Sequence, residues 1–475
     1  MELTLFHKRS SSKSDVLAMN VTPLVRPPLD PDFVPAALWN KEFVRQVQEC
    51  GNRVQVRLAI EQPCGSVVRK DIEILPETSK STSTNFRFVE RNIKFLAWAA
   101  GGIRIYFDGP HTIGSALQKH YKESSTGRFD AKFLSRVYDE QFEFILTHEL
   151  PEESSSARQL GRHLDGNRIG FDLGGSDRKV AALVEGEVVF SEEIAWDPYH
   201  KTNPQYHLEG ISHSLRRASD HLPSVDAIGG SSAGVFVNNQ PRVASIFRGI
   251  PEDVFESAVK PMFRQLAQDW NVPLEVINDG DVTALAGSMS LGENAVLGLA
   301  MGTSEATGYV NPEGKVSGWL NELAFAPVDY SPQAPVDEWS GDKGCGAQYF
   351  SQQAVGRLLQ PAGIKSSDAL SLPEKLLELQ ELMEKGDQRA RKVYQSIGVY
   401  LGFGIAHYSD FYNIRKILLL GRVTTGDGGT IIIEQAKCVL QEEFPELSQK
   451  IGFHLPNEEE KRHGQAIAAA SLPII

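Results

Sequence analysis

Two glycine turns about 130 residues apart, each set between two β-strands, constrain this chain more tightly than any other feature of its sequence. The first is Asp172-Leu173-Gly174-Gly175-Ser176, between RIGFD and RKVAALV; the second is Gly302-Thr303-Ser304, inside AVLGLAMGTSEATGYVN. Glycine lets backbone N–H groups come close to a phosphate, a neighbouring carboxylate can hold a hydrated magnesium ion, and a hydroxyl-bearing turn can clasp phosphates from the opposite side. Each turn alone is also what an ordinary tight hairpin needs. Together they describe duplicated halves facing one nucleotide. The stretch from Arg168 to Ile194 reads strand, turn, strand, Gly186 turn, strand, a β-meander and not the strand–helix opening of a dinucleotide-binding unit.

Two further segments fall where such halves would need them. Asn278-Asp279 closes the strand LEVIND just before the helix DVTALAG. A carboxylate there can take the proton of a substrate hydroxyl as it attacks a γ-phosphate, and an Asp there also suits a helix N-terminus. LLLGRVTTGDGG is a strand ending at Gly421, against which an adenine can lie or which is a plain strand-to-turn ending.

The chain has 475 residues, room for about three compact units. Residues 1–35 read as an extended or disordered arm, since five prolines fall within VTPLVRPPLDPDFVP and exclude a helix. Residues 36–150 form an α+β or α/β module with a hairpin-like pair, VQVRLAIEQ and VVRKDIEIL, and a helix over FDAKFLSRVYDEQFEFIL. HELPEESSSARQLGRHLDGN interrupts the pattern, giving a linker over 151–166, then one half over 167–290 and another over 291–475. Residues 1–160 hold 21 basic and 20 acidic side chains, so the acidic surplus behind the net charge of -13 lies in the rest. That charge argues against nucleic acid and anionic membrane as partners, both of which need a positive field. Four scattered cysteines, Cys50, Cys64, Cys345 and Cys438, fit a reducing compartment, and neither a signal peptide nor a membrane span is read, so a cytoplasmic protein is expected.

In their order these pieces resemble the actin-like ATPase (ribonuclease H-like) superfold, and specifically the ROK family of sugar kinases and sugar-sensing repressors, over about residues 165–475. IGFDLGGSDRKVAALVEGE is similar to the family's first phosphate motif, AIGGSSAGVFVNN to its connecting segment, VINDGDVTALAG to its catalytic segment, MGTSEATGYV to its second phosphate motif and ILLLGRV to its adenosine motif. The resemblance implies ATP and Mg2+ as cofactors and a small-molecule sugar as partner, in a possible homodimer. It implies that Asp172, Gly174, Gly175 and Ser176 hold phosphate and magnesium, that Gly302, Thr303 and Ser304 hold phosphates, and that Gly421 lies on the adenosine. Asp279 becomes the general base, Asn278 a sugar ligand, and Glu322 of WLNELAF a ligand for a sugar hydroxyl.

The sequence departs from the family pattern around its zinc ligands. The histidine ending the Glu-x-Gly-His segment is Phe325, only Cys345 remains of the cysteines aligned with EWSGDKGCGA, and the family's terminal glutamate is Ala347. No zinc site is therefore expected. Glu305 adds an anion next to the second turn, read as lying beside the phosphates. An ATP-dependent kinase of a sugar or sugar-like polyol is the expectation. A non-catalytic sugar or nucleotide sensor on the same fold is the alternative, favoured by Ala347, Phe325 and Glu305. A DNA-binding repressor would need a basic helix-turn-helix that the first module does not offer. Asp108-Gly109-Pro110-His111, after the strand IRIYF, leaves a catalytic first module as a further option.

Overall fold

The computed structural model describes residue 19 and residues 21–155, 160–456 and 458–475. Residues 1–18 and 20 of the expected arm, and 156–159 of the expected linker, lie outside the described residues. Residues 21–35 carry no helix or strand and are fastened to the C-terminal part of the chain. The Leu29 amide donates to Ser396 Oγ (3.2 Å), Asp30 accepts from Arg357 and from the Tyr400 hydroxyl, and Phe33 is buried among Tyr349, Tyr400 and Phe403.

The first module is built on β1 (Val54–Glu61), β2 (Val67–Ile74), β3 (Arg104–Asp108) and β4 (Glu143–Leu146). Their order is β2-β1-β3-β4, antiparallel except for the parallel β3–β4 pair. Helices Ala36–Glu49, Thr82–Ala99, His111–Glu123 and Ser125–Tyr138 accompany them. The helix read from the sequence as continuing to Leu146 stops at Tyr138. Asp139 turns left-handed (φ 55°) and the chain returns as β4, because pairing with β3 outweighs the helical spacing of EFIL.

The next lobe carries β5 (Asn167–Leu173), β6 (Asp177–Val184), β7 (Glu187–Ala195), β8 (Ala227–Ser232), the small hairpin β9 (Val235–Val237) and β10 (Gln240–Val243), and β11 (Leu274–Asn278). The order β11-β8-β5-β6-β7 makes the expected meander, with β8 and β11 parallel to β5. Gly170 and Gly229 have a backbone carbonyl of the helix Glu458–Ala470 where a side chain would stand, so glycine lets this last helix lie directly on the first sheet.

The second lobe repeats the plan with β12 (Val296–Met301), β13 (Glu305–Val310), β14 (Lys416–Leu420) and β15 (Gly452–His454), ordered β13-β12-β14-β15. Here β12–β13 is the antiparallel hairpin, and β14 and β15 run parallel to β12. Helices Gln388–Tyr408 and Asp427–Glu443 cross closely, with Gly398 and Gly402 against Ile432, Ala436 and Val439. The largest hydrophobic core joins this lobe to the first module, since Phe95, Trp98 and Ala99 are buried in it. No described helix is long and apolar enough to cross a membrane.

Candidate functional site

Three parallel strands of the first lobe end side by side, where open α/β sheets place ligands. Asp172 pairs with Ser231, and Leu173 and Asn278 both pair with Ser232. Ser231 Oγ donates to Asp172 Oδ1 (2.6 Å), and Lys179 Nζ lies 3.9 Å from Oδ2. Burial raises the Asp172 carboxyl against both partners. Ser232 has a buried hydroxyl with no partner among the described residues. In the turn that follows, the Gly174 amide donates to Asp177 O (3.0 Å), Ser176 is exposed, and the Tyr199 hydroxyl sits where a Gly175 side chain would stand.

Asn278 is the N-cap of the helix Asp279–Leu291: its Oδ1 accepts from the Gly280 amide (2.6 Å) and its Nδ2 donates to Gly234 O (2.8 Å). It therefore ties β11 to the turn after β8, leaving one lone pair and one N–H for a ligand. Asp279 opens the helix, and its carboxyl is pushed up to about 6 by burial and by the Asp172 carboxylate.

In the second lobe Gly302, Thr303 and Ser304 follow β12, with Thr303 and Ser304 exposed. The Gly302 amide donates to Ser304 O (3.1 Å), and Gly302 O accepts from the Gln352 amide (2.9 Å). Because β14 runs beside β12, Gly421 falls next to this turn. Its φ is 91°, and the Met301 backbone occupies the space a side chain would need, so both conformation and crowding demand glycine there.

Glu322 reaches the site from the segment 320–322, whose amides donate into the end of the helix Thr82–Ala99. Leu320 N bonds Ala100 O (3.3 Å), Asn321 N bonds Ala99 O (2.9 Å) and Glu322 N bonds Trp98 O (2.9 Å). The second lobe thus caps a helix of the first module with the strip that carries Glu322. Burial, with Asp279 and Asp281 nearby, pushes the Glu322 carboxyl up to about 7.

Two carboxylates were not anticipated in their actual places. Asp281 accepts from the Tyr309 amide (3.1 Å) and Asn321 Nδ2 (2.8 Å), yet burial pushes it up to about 7. Its signal is the acidic spacing of NDGD. Glu305 does not lie beside the second turn's open side: as the first residue of β13 its side chain points inward. It accepts from Tyr408 (3.1 Å), its Oε2 faces Gly346 with no partner among the described residues, and burial pushes it up to about 8 with Glu322 adding repulsion.

These raised carboxyls give a pH dependence. Each holds a proton in the folded state at a pH where the unfolded chain has released it, so the stabilisation is complete below the unfolded values and is lost as pH rises through the folded ones. Half-buried His120 and buried His207 and His407, all lowered by desolvation, oppose this only below their ordinary value of 6.5. The ligand-free protein should therefore lose melting temperature steadily between about pH 6.5 and 8.5, and Glu305→Gln should flatten that slope; a flat profile in the wild type would contradict it.

The region aligned with zinc ligands holds a different arrangement. Phe325 packs on Trp98 (centroids 4.4 Å apart), Phe129 and Phe133. Cys345 is buried, its thiol pushed up to about 12 by burial, with Ser340 Oγ 4.0 Å away. Among the described residues no group of three His, Cys, Asp or Glu side chains could hold a metal ion. The donors present around Cys345 do not fit zinc. Lys94 instead brings an ammonium into this neighbourhood, 2.9 Å from Asp130 and 3.1 Å from Asp342.

A profile of the ROK family matches residues 168–454. No curated protein sequence matches the chain. Among solved structures, the ROK hexokinase from Thermus thermophilus aligns at 18% identity over 64% of this chain and 96% of that one, with a TM-score of 0.50. A ROK family glucokinase from Streptomyces griseus, in complex with glucose and AMPPNP, aligns at 18% identity over 64% and 98% of the two chains (TM-score 0.45). A ROK family transcriptional regulator homologous to the E. coli MLC protein aligns at 19% identity over 65% and 79% (TM-score 0.49).

Proposed function

The chain belongs to the ROK family, and from that premise we propose that it transfers the γ-phosphoryl group of ATP to a hydroxyl of a sugar or sugar-like acceptor, with Asp279 as general base. The observation that carries this is the position of Asp279: half-buried as the first residue of the helix that follows β11, it feels Asp172 on the phosphate side, while Glu322 on the acceptor side feels it in turn. The acceptor hydroxyl gives its proton to Asp279 as its oxygen bonds to phosphorus, and the bond to the ADP oxygen breaks. Gly174, Gly175 and Ser176 face the phosphates from one lobe, and Gly302, Thr303 and Ser304 from the other, with Gly421 on the adenosine. A magnesium ion at Asp172 would neutralise phosphate charge, and a single buried carboxylate suits an ion that keeps most of its waters. Asn278 and Glu322 take the sugar, whose hydroxyls both donate and accept.

The test is ADP release with Mg-ATP across hexoses, amino sugars and polyols. Turnover of at least one acceptor supports the kinase, and binding of a sugar without any turnover overturns it in favour of a sensor. One feature favours that second reading: Tyr199 crowding Gly175 narrows the approach to the first phosphate turn. Because the base works deprotonated, kcat/KM should rise with pH through about 6 and level off above it; a rate independent of pH between 5 and 8 would exclude Asp279 as base. The purified protein should also hold no stoichiometric zinc and keep its melting temperature in chelator, and elemental analysis finding about one zinc per chain would contradict this.

A further inference from the structure

We propose that the first module completes a subsite for a second sugar unit, so that the preferred acceptor is a neutral disaccharide or glycoside and not a free monosaccharide. This rests on the kinase reading and names its acceptor. The module lies outside residues 168–454, the part shared with the family.

A cavity of about 470 Å³ opens where three parts of the chain meet, within the range of roughly 300–1,000 Å³ usual for small-molecule sites. Cys64 and Tyr138 line it from the first module, Arg242, Asn278 and Asp281 from the first lobe and its outgoing helix, and Trp319 from the second lobe. It adjoins the acceptor end of the cleft: Asn278 precedes Asp279, and Trp319 lies three residues before Glu322.

Its walls are fixed on both sides. Gln62 Nε2 donates to Ala100 O (2.7 Å) and Gly318 O (3.2 Å), joining the β1–β2 turn to the second lobe. Asp139, at the end of the module's helix Ser125–Tyr138, pairs with Arg242 and with Lys260 (2.8 Å) of the first lobe. The module therefore spans the two lobes and roofs the cavity.

The lining selects a neutral polyol. Arg242, on the cavity wall, is only 8% exposed, and its Nε–H has no hydrogen-bond partner among the described residues, so its guanidinium keeps donor capacity beside a ligand. Asp281 and Asn278 offer acceptors on another side, so a hydroxyl can donate to one and accept from the other. The half-buried Trp319 ring offers an apolar face for the C–H side of a pyranose. An anionic ligand is disfavoured, because the charge of Arg242 is already met by Asp139 while Asp279, Asp281 and Glu322 stand close by.

The test uses Cys64, an exposed thiol on the cavity wall that is in no disulfide. Alkylation by N-ethylmaleimide, followed peptide by peptide, is measured with Mg-ADP plus glucose, maltose, cellobiose, trehalose or sucrose, and phosphorylation of the same sugars is measured with Mg-ATP. At least one disaccharide should slow Cys64 alkylation about tenfold and be turned over with a higher kcat/KM than glucose. Cys64→Trp, which fills the cavity from a surface turn, should lower the ratio of disaccharide to monosaccharide kcat/KM by about tenfold, and a ratio is insensitive to the fraction of protein that folds. Turnover of glucose alone, with no disaccharide protecting Cys64, refutes the subsite and leaves the kinase reading standing. Failure of every sugar to be turned over refutes the kinase reading, and the subsite falls with it.

Discussion

Asp279→Asn should lower kcat by about 10²–10⁴-fold, the range usual for loss of a positioned general base, while the affinity for ADP stays within about twofold. The asymmetry follows from where the residue stands. Its carboxylate accepts one bond from Gly280 (3.0 Å), so asparagine keeps the shape and helix start but, on the proposed kinase reading, removes the proton acceptor. Neutralising it also relieves its repulsion with Glu322 and Asp172, which should make the variant somewhat more stable at pH 8 than the wild type. Single-turnover phosphoryl transfer, ADP titration and melting measured on one preparation separate these effects. Equal transfer by variant and wild type would remove Asp279 from the chemistry.

What was legible in the sequence is what backbone sterics and periodicity dictate locally. Gly421 could be read as the end of the buried strand LLLG, where the structure shows φ 91° and the Met301 backbone in the space of a side chain, and the meander could be read because alternation fixes which residues face inward. Asp279 was legible for the same reason, as a carboxylate at a strand–helix junction. Glu305 was not: its neighbours in sequence are the exposed turn, and only the register of β13 sends its side chain inward beside Tyr408. EFIL was read as helix because its strand character comes from β3, about 40 residues earlier. The part played by residues 36–150 was illegible altogether. The bonds from segment 320–322 to residues 98–100 are backbone to backbone and leave no mark on residue type. The placement of Lys94 was equally hidden, since lysine ordinarily reads as a surface residue.

Lys94→Met should destabilise the protein by about 3–5 kcal/mol, because removing one partner of a buried pair strands the others. Lys94 is 1% exposed, and its ammonium bridges Asp130 (3.0 and 2.9 Å) of the first module and Asp342 (3.1 Å) of the second lobe. Arg91 also holds Asp342 (2.8 Å): against burial, Arg91 and Lys94 keep that carboxyl well below the usual range. Asp342 would thus retain a cation in the variant, whereas Asp130 would keep only the Trp98 indole N–H (3.2 Å). Burial already pushes Asp130 up to about 6 with the ammonium present, so without it the carboxyl must take up a proton to stay buried. Asp130→Leu added to Lys94→Met should then recover much of the loss, as a hydrophobic pair of similar volume often replaces a buried ion pair without penalty. The damage should also have a direction. The helix carrying Lys94 ends at the carbonyls that receive Leu320, Asn321 and Glu322, so loosening it should raise KM for the acceptor more than KM for ATP. Denaturant unfolding of the single and double variants, with both KM values, checks each step; a single variant losing less than about 1 kcal/mol, the scale of an exposed pair, would show that the ammonium does not hold the module to the lobe.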